Sequence, residues 1–295
     1  MSVVINTNVD SIKIQNLLNS STSNLSKSMQ RMSSGLQILS AKDDAAGTVI
    51  SAKMNVQLNG NQIAQKNVQN ANALLSTAEG NLDVVQDNVS RIRDLTLQAK
   101  NGTYSQEEIK AMQDEVDQRI QEIDRISKSA EYSSLQLFGG SLADNGATFQ
   151  VGADAGANNT ITAEASLFKS VEFSALTGAK GFNLSKISEI TYGENSKPEP
   201  TETNAFDKAI QALDEAINDI TNRKSVIGSA GNRMDSALQT LTTQYENLSS
   251  AKSIITDADI AAEASSFTQN QILQQVSTSL LAQANQAPSI ALSLI

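Results

Sequence analysis

The side chains of this sequence that could do acid–base or metal chemistry fall in two small clusters, Asp43-Asp44 and Asp257-x-Asp259. Paired carboxylates can hold a hard cation or share a proton. Both clusters have lysines nearby, Lys42 and Lys252, and lie among small residues. The reading they favour is solvated or ion-paired charge in a connector segment that also holds Gly47. Little else offers reactivity. The chain has no Cys and no His, which removes disulfides, thiolate nucleophiles, His-ligated metals and Ser-His-Asp triads together. No Gly-rich phosphate loop occurs. Met29, Met32 and Met234 stand at helix-seam spacing and read as packing residues rather than ligands. The expectation is a protein with no catalytic residue, no cofactor and no metal.

What must position those carboxylates is a set of long helices. Leu25, Met29, Met32, Leu36 and Leu39 step by four and three, which predicts one helix face. Leu75, Ala78, Leu82, Val85, Val89 and Ile92 do the same as far as Leu95. Asn101-Gly102 should break that helix, and Ser105 can cap the next, with Glu107 and Glu108 favourably placed in its first turn. Ile109, Val116, Ile123 and Ala130 mark its seam. Phe206, Leu213, Ile220, Ile227, Met234, Leu241, Leu248 and Ile255 then keep an unbroken spacing of seven. A second row, Ile210, Ile217, Leu238 and Tyr245, is interrupted by Lys224 and Gly231. A helix over about 206–255 would be roughly 75 Å long and cannot bury its stripe alone. Helices over 56–99 and 105–130 are its expected partners. Between 138 and 200, Gly139-Gly140 and Asn145-Gly146 signal turns, while Thr148–Val151 and Thr160–Thr162 alternate like short strands.

The two ends differ in kind from the middle. Residues 264–295 carry no charge, and Leu273, Leu280, Ala287 and Leu294 recur every seven residues with Val276, Ala284 and Ala291 beside them. In residues 1–26 the only charges are Asp10 and Lys13. A helix face of Gln, Ser and Asn can be buried against its own kind through hydrogen bonds, with no charge to desolvate. The ends are therefore expected to be surrounded by other copies of the chain. The net charge of −10 argues against nucleic acid, and no run of 18 apolar residues offers a membrane span. Aromatic residues are only 4% and Trp is absent, which disfavours a large core of the usual enzyme type. Residues 1–14 lack the pattern of a secretory signal peptide.

Two sets of motifs resemble one family. RMSSGL at 31–36 with SAKDDAAG at 40–47 resembles the N-terminal signature of bacterial flagellin. NLSSA at 247–251, Asp257-Ala-Asp259, QILQQ at 271–275 and LAQANQ at 281–286 are similar to its C-terminal signature, and FQVG at 149–152 to a strand between them. The similarity spans about 1–152 and 205–295. Leu39 departs from it where the family usually has a polar residue, Gln37 stands in place of a common Arg, and the terminal basic residue is absent.

The resemblance implies a mainly α fold: an elongated coiled-coil or helical-bundle rod with a small β-hairpin tip and with the N- and C-terminal helices paired. Residues 1–40 and 260–295 would form the terminal coiled coil, 41–56 and 251–259 the connector, 57–137 and 201–250 the rod, and 138–200 its hairpin and loop tip, with no large outer domains. It implies a structural subunit, exported unfolded through the flagellar type III channel and polymerised helically into an extracellular filament for motility. Leu25, Met29, Met32, Leu36, Ile272, Leu273, Val276, Leu280, Ala284 and Leu294 would pack the filament core. Asp43, Asp44, Gly47, Asp257 and Asp259 would articulate the connector. Further implied partners are an export chaperone on the C-terminal segment (Ile272, Leu273, Leu280 and Leu281), the hook–filament junction and cap proteins, and a vertebrate Toll-like receptor meeting Arg91, Leu95 and Glu115. Isolated subunits should lose roughly the first 50 and last 40 residues first to proteolysis. A hook–filament junction protein or a generic coiled-coil scaffold are the other readings. A metallopeptidase-bearing relative is excluded by the absence of His.

Overall fold

The computed structural model describes residues 7–178 and 200–292 of the chain. It is mainly helical and divides into two compact units, Met1–Leu58 with Tyr245–Ile295 and Asn59–Gln244. The helices are α1 (Val9–Ser34), α2 (Ala45–Lys100), α3 (Gln106–Ser129), the short α4 (Ser141–Asn145) and α5 (Phe173–Thr177), α6 (Pro200–Thr256) and α7 (Ile260–Leu292). Two strand pairs, β1 (Glu131–Tyr132) with β2 (Leu135–Gln136) and β3 (Ala147–Gln150) with β4 (Thr160–Ala163), are antiparallel. Leu294 and segment 179–199 lie outside the described residues, as do the side chains of Ala287 and Ala291.

The unit 59–244 owns the apolar core. Its α2 stripe from Leu75 to Leu95, the α3 seam of Ile109, Val116, Ile123 and Ala130, and the α6 ladder from Phe206 to Leu241 are all buried. Farther along α6, in the other unit, Leu248 and Ile255 are only half-buried. Polar ties fix the pairing of α2 with α6 as antiparallel. Lys100 meets Asp207 at 2.5 Å, Arg93 pairs with Asp214, Lys224 with Asp83, and Asn72 donates to Asp235 at 2.8 Å. Helix α3 begins with a full capping box. Glu108 N–H donates to Ser105 Oγ at 3.3 Å, while Ser105 N–H donates to the Glu108 carboxylate at 2.7 Å.

The β3–β4 hairpin pairs Phe149 with Ile161 and Gln150 with Thr160. It flanks the start of this unit's α2. Asn67 donates to the Gln150 carbonyl, and a Cβ placed on Gly60 would lie 2.7 Å from Ala153 Cβ, so the loop can approach only because residue 60 is Gly. The hairpin and its loop thus lie along the part of α2 that holds Gly60 and Asn67. The chain from 165 to 178 is anchored by the buried Arg223, whose Nη1 donates to the Lys169 carbonyl at 2.8 Å, and by Asp124, which accepts from Phe173 N–H at 3.0 Å.

Helix α1 corrects one expectation. The stripe through Leu36 and Leu39 does not lie on one helix, because α1 stops at Ser34. Gly35 adopts φ +72° and its N–H closes on the Arg31 carbonyl at 2.8 Å, a left-handed cap that leaves Leu36 and Leu39 in the following loop.

Candidate functional site

Helices α1 and α7 pack antiparallel, and their seam is built mainly from small and polar side chains. The least exposed positions of α1 and its cap, Ser11, Ile14, Leu18, Ser21, Leu25, Ser28, Met32 and Gly35, alternate steps of three and four. On α7 the matching series is Glu263, Phe267, Asn270, Gln274, Ser277, Leu281 and Ala284. Both follow the seven-residue repeat of a coiled coil. The fully buried members are the serines Ser21, Ser28 and Ser277. Hydrogen bonds cross the seam: Asn8 to the Ala284 carbonyl at 2.8 Å, Ser11 to Asn285 at 2.9 Å and Gln274 to Thr22 at 3.2 Å. Arg31 and Glu263 form an ion pair at 3.8 Å.

A second set of large apolar side chains faces away from this seam, while Ile14, Leu18, Leu25, Met32, Phe267 and Leu281 are half-buried in it. Ile272 is 55% exposed, Leu280 42%, and Leu273 and Val276 lie between these values or just below. On α1, Met29 is 53% exposed, joined by Val9, Ile12 and Leu17. Met29 is thus not a packing residue of the single chain, whereas Leu25 and Met32 line the seam and Met234 is fully buried. Among the described residues of this unit, Leu58 is the one buried large hydrophobe. The helix pair carries an exposed apolar face, and its seam mixes half-buried apolar side chains with fully buried serines, unlike the wholly apolar seam of a self-sufficient bundle.

The connector between the helices is tied, and its carboxylates do structural work. Gln37 N–H donates to the Thr256 carbonyl at 2.8 Å and Ala258 N–H to that of Gly35 at 2.9 Å, bridging the two breaks between helices. Asp43 pairs with Lys27 at 2.6 Å, not with Lys42, and also accepts from Ser40. The Lys27 hydrogen bond leads in holding its pKa down to about 2. Asp44 starts α2 by accepting Thr48 N–H and Oγ1 at its carbonyl. A Cβ on Gly47 would fall 2.3 Å from the Asp44 carboxylate and 2.6 Å from Ile38 Cδ1. Asp259 caps α7, its carboxylate accepting from Ala261 and Ala262 N–H at 2.9 and 3.2 Å. Asp257 accepts from Ser253 and Thr256 hydroxyls, which with the Lys252 charge lower its pKa. No cluster of three metal-ligating side chains occurs among the described residues. Leu39, Ile38, Ser51, Ala52 and Asn55 line a small cleft beside Thr256.

On the unit 59–244, Arg91 and Glu115 are brought together and Leu95 is not. Arg91 forks onto Glu115 at 2.9 and 3.2 Å, and Arg119 reaches the same carboxylate at 3.0 Å. The Arg91 hydrogen bond leads in lowering the Glu115 pKa. Both members of this fork are partly exposed. Leu95, 2% exposed, points into the core, so its side chain offers no surface to a partner. That corrects its assignment to a receptor face: the α2 stripe that predicts Leu95 as core outweighs its nearness to Arg91 in sequence.

The α1 seam was missed in the sequence because its repeat alternates apolar residues with serines. Ser21 and Ser28, seven apart and offset by three or four from Leu18 and Leu25, were the available signal.

Comparison with known proteins adds the following. The profile of the bacterial flagellin N-terminal helical region matches residues 5–143, and that of the bacterial flagellin C-terminal helical region matches 210–295. The chain is 35% identical to a flagellin of Bacillus subtilis over 99% of both chains. It is 33% identical to the flagellar filament 30.7 kDa core protein of Treponema maltophilum over 96% of both. A solved chain from Vibrio parahaemolyticus, described as a flagellar hook-associated protein, shares the fold with a TM-score of 0.56 at 17% identity, covering 72% of this chain and 99% of that one. No helix among the described residues is long and apolar enough to cross a membrane.

Proposed function

This chain belongs to the bacterial flagellin family, and we propose that it is a structural subunit of the extracellular flagellar filament, polymerised helically for motility. The family is structural, and no reaction is assigned. The observation that carries this reading is the outward direction of Ile272, Leu273, Val276 and Leu280 on a helix whose seam includes Asn270, Gln274 and Ser277 beside Phe267 and Leu281. Neighbouring copies of the chain would cover that apolar surface. In this reading residues 1–40 and 260–295 pack the filament core, 41–56 and 251–259 are the connector, and 57–137 with 201–250 form the rod. Leu36, exposed just beyond the α1 cap, and Leu294 also belong to the core set.

The finer parts of the reading follow from the same surfaces. Export runs unfolded through the flagellar type III channel, with a chaperone covering the α7 face that holds Ile272, Leu273 and Leu280. Hook–filament junction and cap proteins meet the ends of the polymer. The Arg91–Glu115 fork, partly exposed and fixed by Arg119, is the receptor-facing feature of the rod, and Leu95 supports it from below. Electron microscopy of purified full-length chain against a chain lacking 264–295 tests the core of the proposal. Filaments from the full chain alone are expected. Filaments from both would remove α7 from the assembly mechanism, and filaments from neither, even with seeds, would favour a junction or scaffold role.

A further inference from the structure

Three Asn-Gly pairs occur in the chain: Asn59-Gly60, Asn101-Gly102 and Asn145-Gly146. An asparagine before glycine is chemically vulnerable. The following backbone nitrogen can attack the side-chain carbonyl carbon, and Gly carries no Cβ to obstruct the approach. The attack needs a nitrogen free of hydrogen bonding and a backbone free to turn towards the side chain. The structure separates the three pairs on those two requirements.

Asn59-Gly60 lies inside α2, where the Gly60 nitrogen belongs to the helical ladder and Ala153 packs over the glycine. At Asn145-Gly146 the glycine N–H donates to the Leu142 carbonyl at 2.9 Å, and a Cβ on Gly146 would fall 2.5 Å from the Ala163 carbonyl oxygen, so the backbone is hemmed in. Asn101-Gly102 follows the last residue of α2, and both residues are exposed. The turn is closed around the glycine but not through its nitrogen. Asn101 N–H donates to the Gln98 carbonyl at 3.0 Å and Thr103 N–H to the Asn101 carbonyl at 2.7 Å, while the Gly102 N–H has no backbone acceptor among the described residues.

We propose that Asn101 is a site of spontaneous deamidation in the folded protein, the exposed Asn101-Gly102 turn reacting while Asn59 and Asn145 are held back by the fold. The step balances with water as its one co-reactant. The Gly102 nitrogen loses its proton and bonds to Asn101 Cγ, the Cγ–Nδ2 bond breaks, and ammonia leaves. Water then opens the cyclic imide at either carbonyl to give aspartate or isoaspartate. Nothing is oxidised or reduced. The product carries one more negative charge, taking the net charge from −10 to −11 by one added carboxylate. That charge appears at the C-terminal end of α2, where the helix dipole disfavours it, and beside Lys100, where it competes with Asp207.

The test is to age the full chain in mildly alkaline buffer and follow each Asn-Gly peptide by mass spectrometry, alongside a Gly102→Ala variant. The peptide holding Asn101 is expected to gain about one dalton and to include isoaspartate. It should react at least ~10-fold faster than the other two, since reaching their reactive geometry requires local opening that costs more than about 1.4 kcal/mol. Gly102→Ala should suppress the gain, and in denaturant the three rates should converge. Equal rates in the folded protein, an undiminished rate in Gly102→Ala, or a rate difference that persists in denaturant would each overturn the inference.

Discussion

Replacing Ile272 and Leu280 together by alanine separates assembly from folding. Both side chains lie off the α1–α7 seam, with 55% and 42% of their surface still open to water. Alanine keeps the helix, being the best helix former. The exposed shares of the two amount to about one fully buried side chain. Fully burying a Leu or Ile contributes roughly 1.5–3 kcal/mol. With the methyl that alanine retains, the double variant should lose about 1–2 kcal/mol of assembly free energy per subunit, a factor of roughly 5–30 in an equilibrium constant. Seeded polymerisation followed by sedimentation reads this directly as a rise of that size in critical concentration. Circular dichroism of the soluble subunit should show an unchanged thermal transition, since the core of 59–244 is untouched. A critical concentration within threefold of the parent would refute the reasoning. So would a drop in subunit stability that matches the loss of assembly, because the residues would then be packing within the chain.

Other perturbations follow from the connector and the rod. Asp43 is held to about 2 by Lys27 and Ser40, below its ordinary carboxylate value. Its tie is therefore complete above about pH 4 and is lost as pH falls through about 2. Lys27→Gln should move that loss up in pH, seen in an NMR titration of the Asp43 carboxyl; an unmoved titration would mean that Lys27 is not the cause. Leu95→Ala should destabilise the unit by about 2–5 kcal/mol in chemical denaturation, as a cavity in a packed core does. Glu115→Gln should cost far less stability yet weaken receptor activation in a reporter-cell assay, and equal receptor responses from Glu115→Gln and the parent would remove the fork from the receptor face. Leu39→Asn alters the apolar wall of the connector cleft beside Thr256 and should change filament shape by electron microscopy; filaments of unchanged shape and motility would dismiss Leu39 as a supercoil determinant.

The helices most legible in the sequence are those whose stripes are buried within the chain. The α6 ladder from Phe206 to Leu241 and the α3 seam could be read because each seventh residue is apolar and each faces the same core. The Ser105 capping box was legible because its two partners are three residues apart. Reading failed where one residue's backbone overrides a pattern. Leu36 and Leu39 continue the α1 spacing, yet Gly35 in the left-handed region ends the helix before them. The β1–β2 turn escaped notice because Ser133 and Ser134, with φ of 50° and 68°, occupy positions usually taken by Asn and Gly. The Lys27–Asp43 pair was invisible because it joins a helix to a loop sixteen positions away, whereas Lys42 is adjacent in sequence. The outward face of α7 was visible as a stripe, but the direction it faces depends on its partner, and that partner is chosen by polar groups spread over both ends of the chain.

Backbone hydrogen exchange of Val9–Ser34 and Ile260–Leu292, compared between soluble subunit and polymer, tests the central claim most directly. A helix pair whose fully buried side chains are serines, and whose apolar seam residues stay partly exposed, gains little from its own seam, so both segments should exchange readily in the subunit while the 59–244 core is protected. In the polymer, if neighbouring copies cover Ile272, Leu273, Val276 and Leu280 as proposed, both segments should become slow. Full protection already present in the subunit, or fast exchange persisting in the polymer, would contradict the claim that these helices are completed by other copies of the chain.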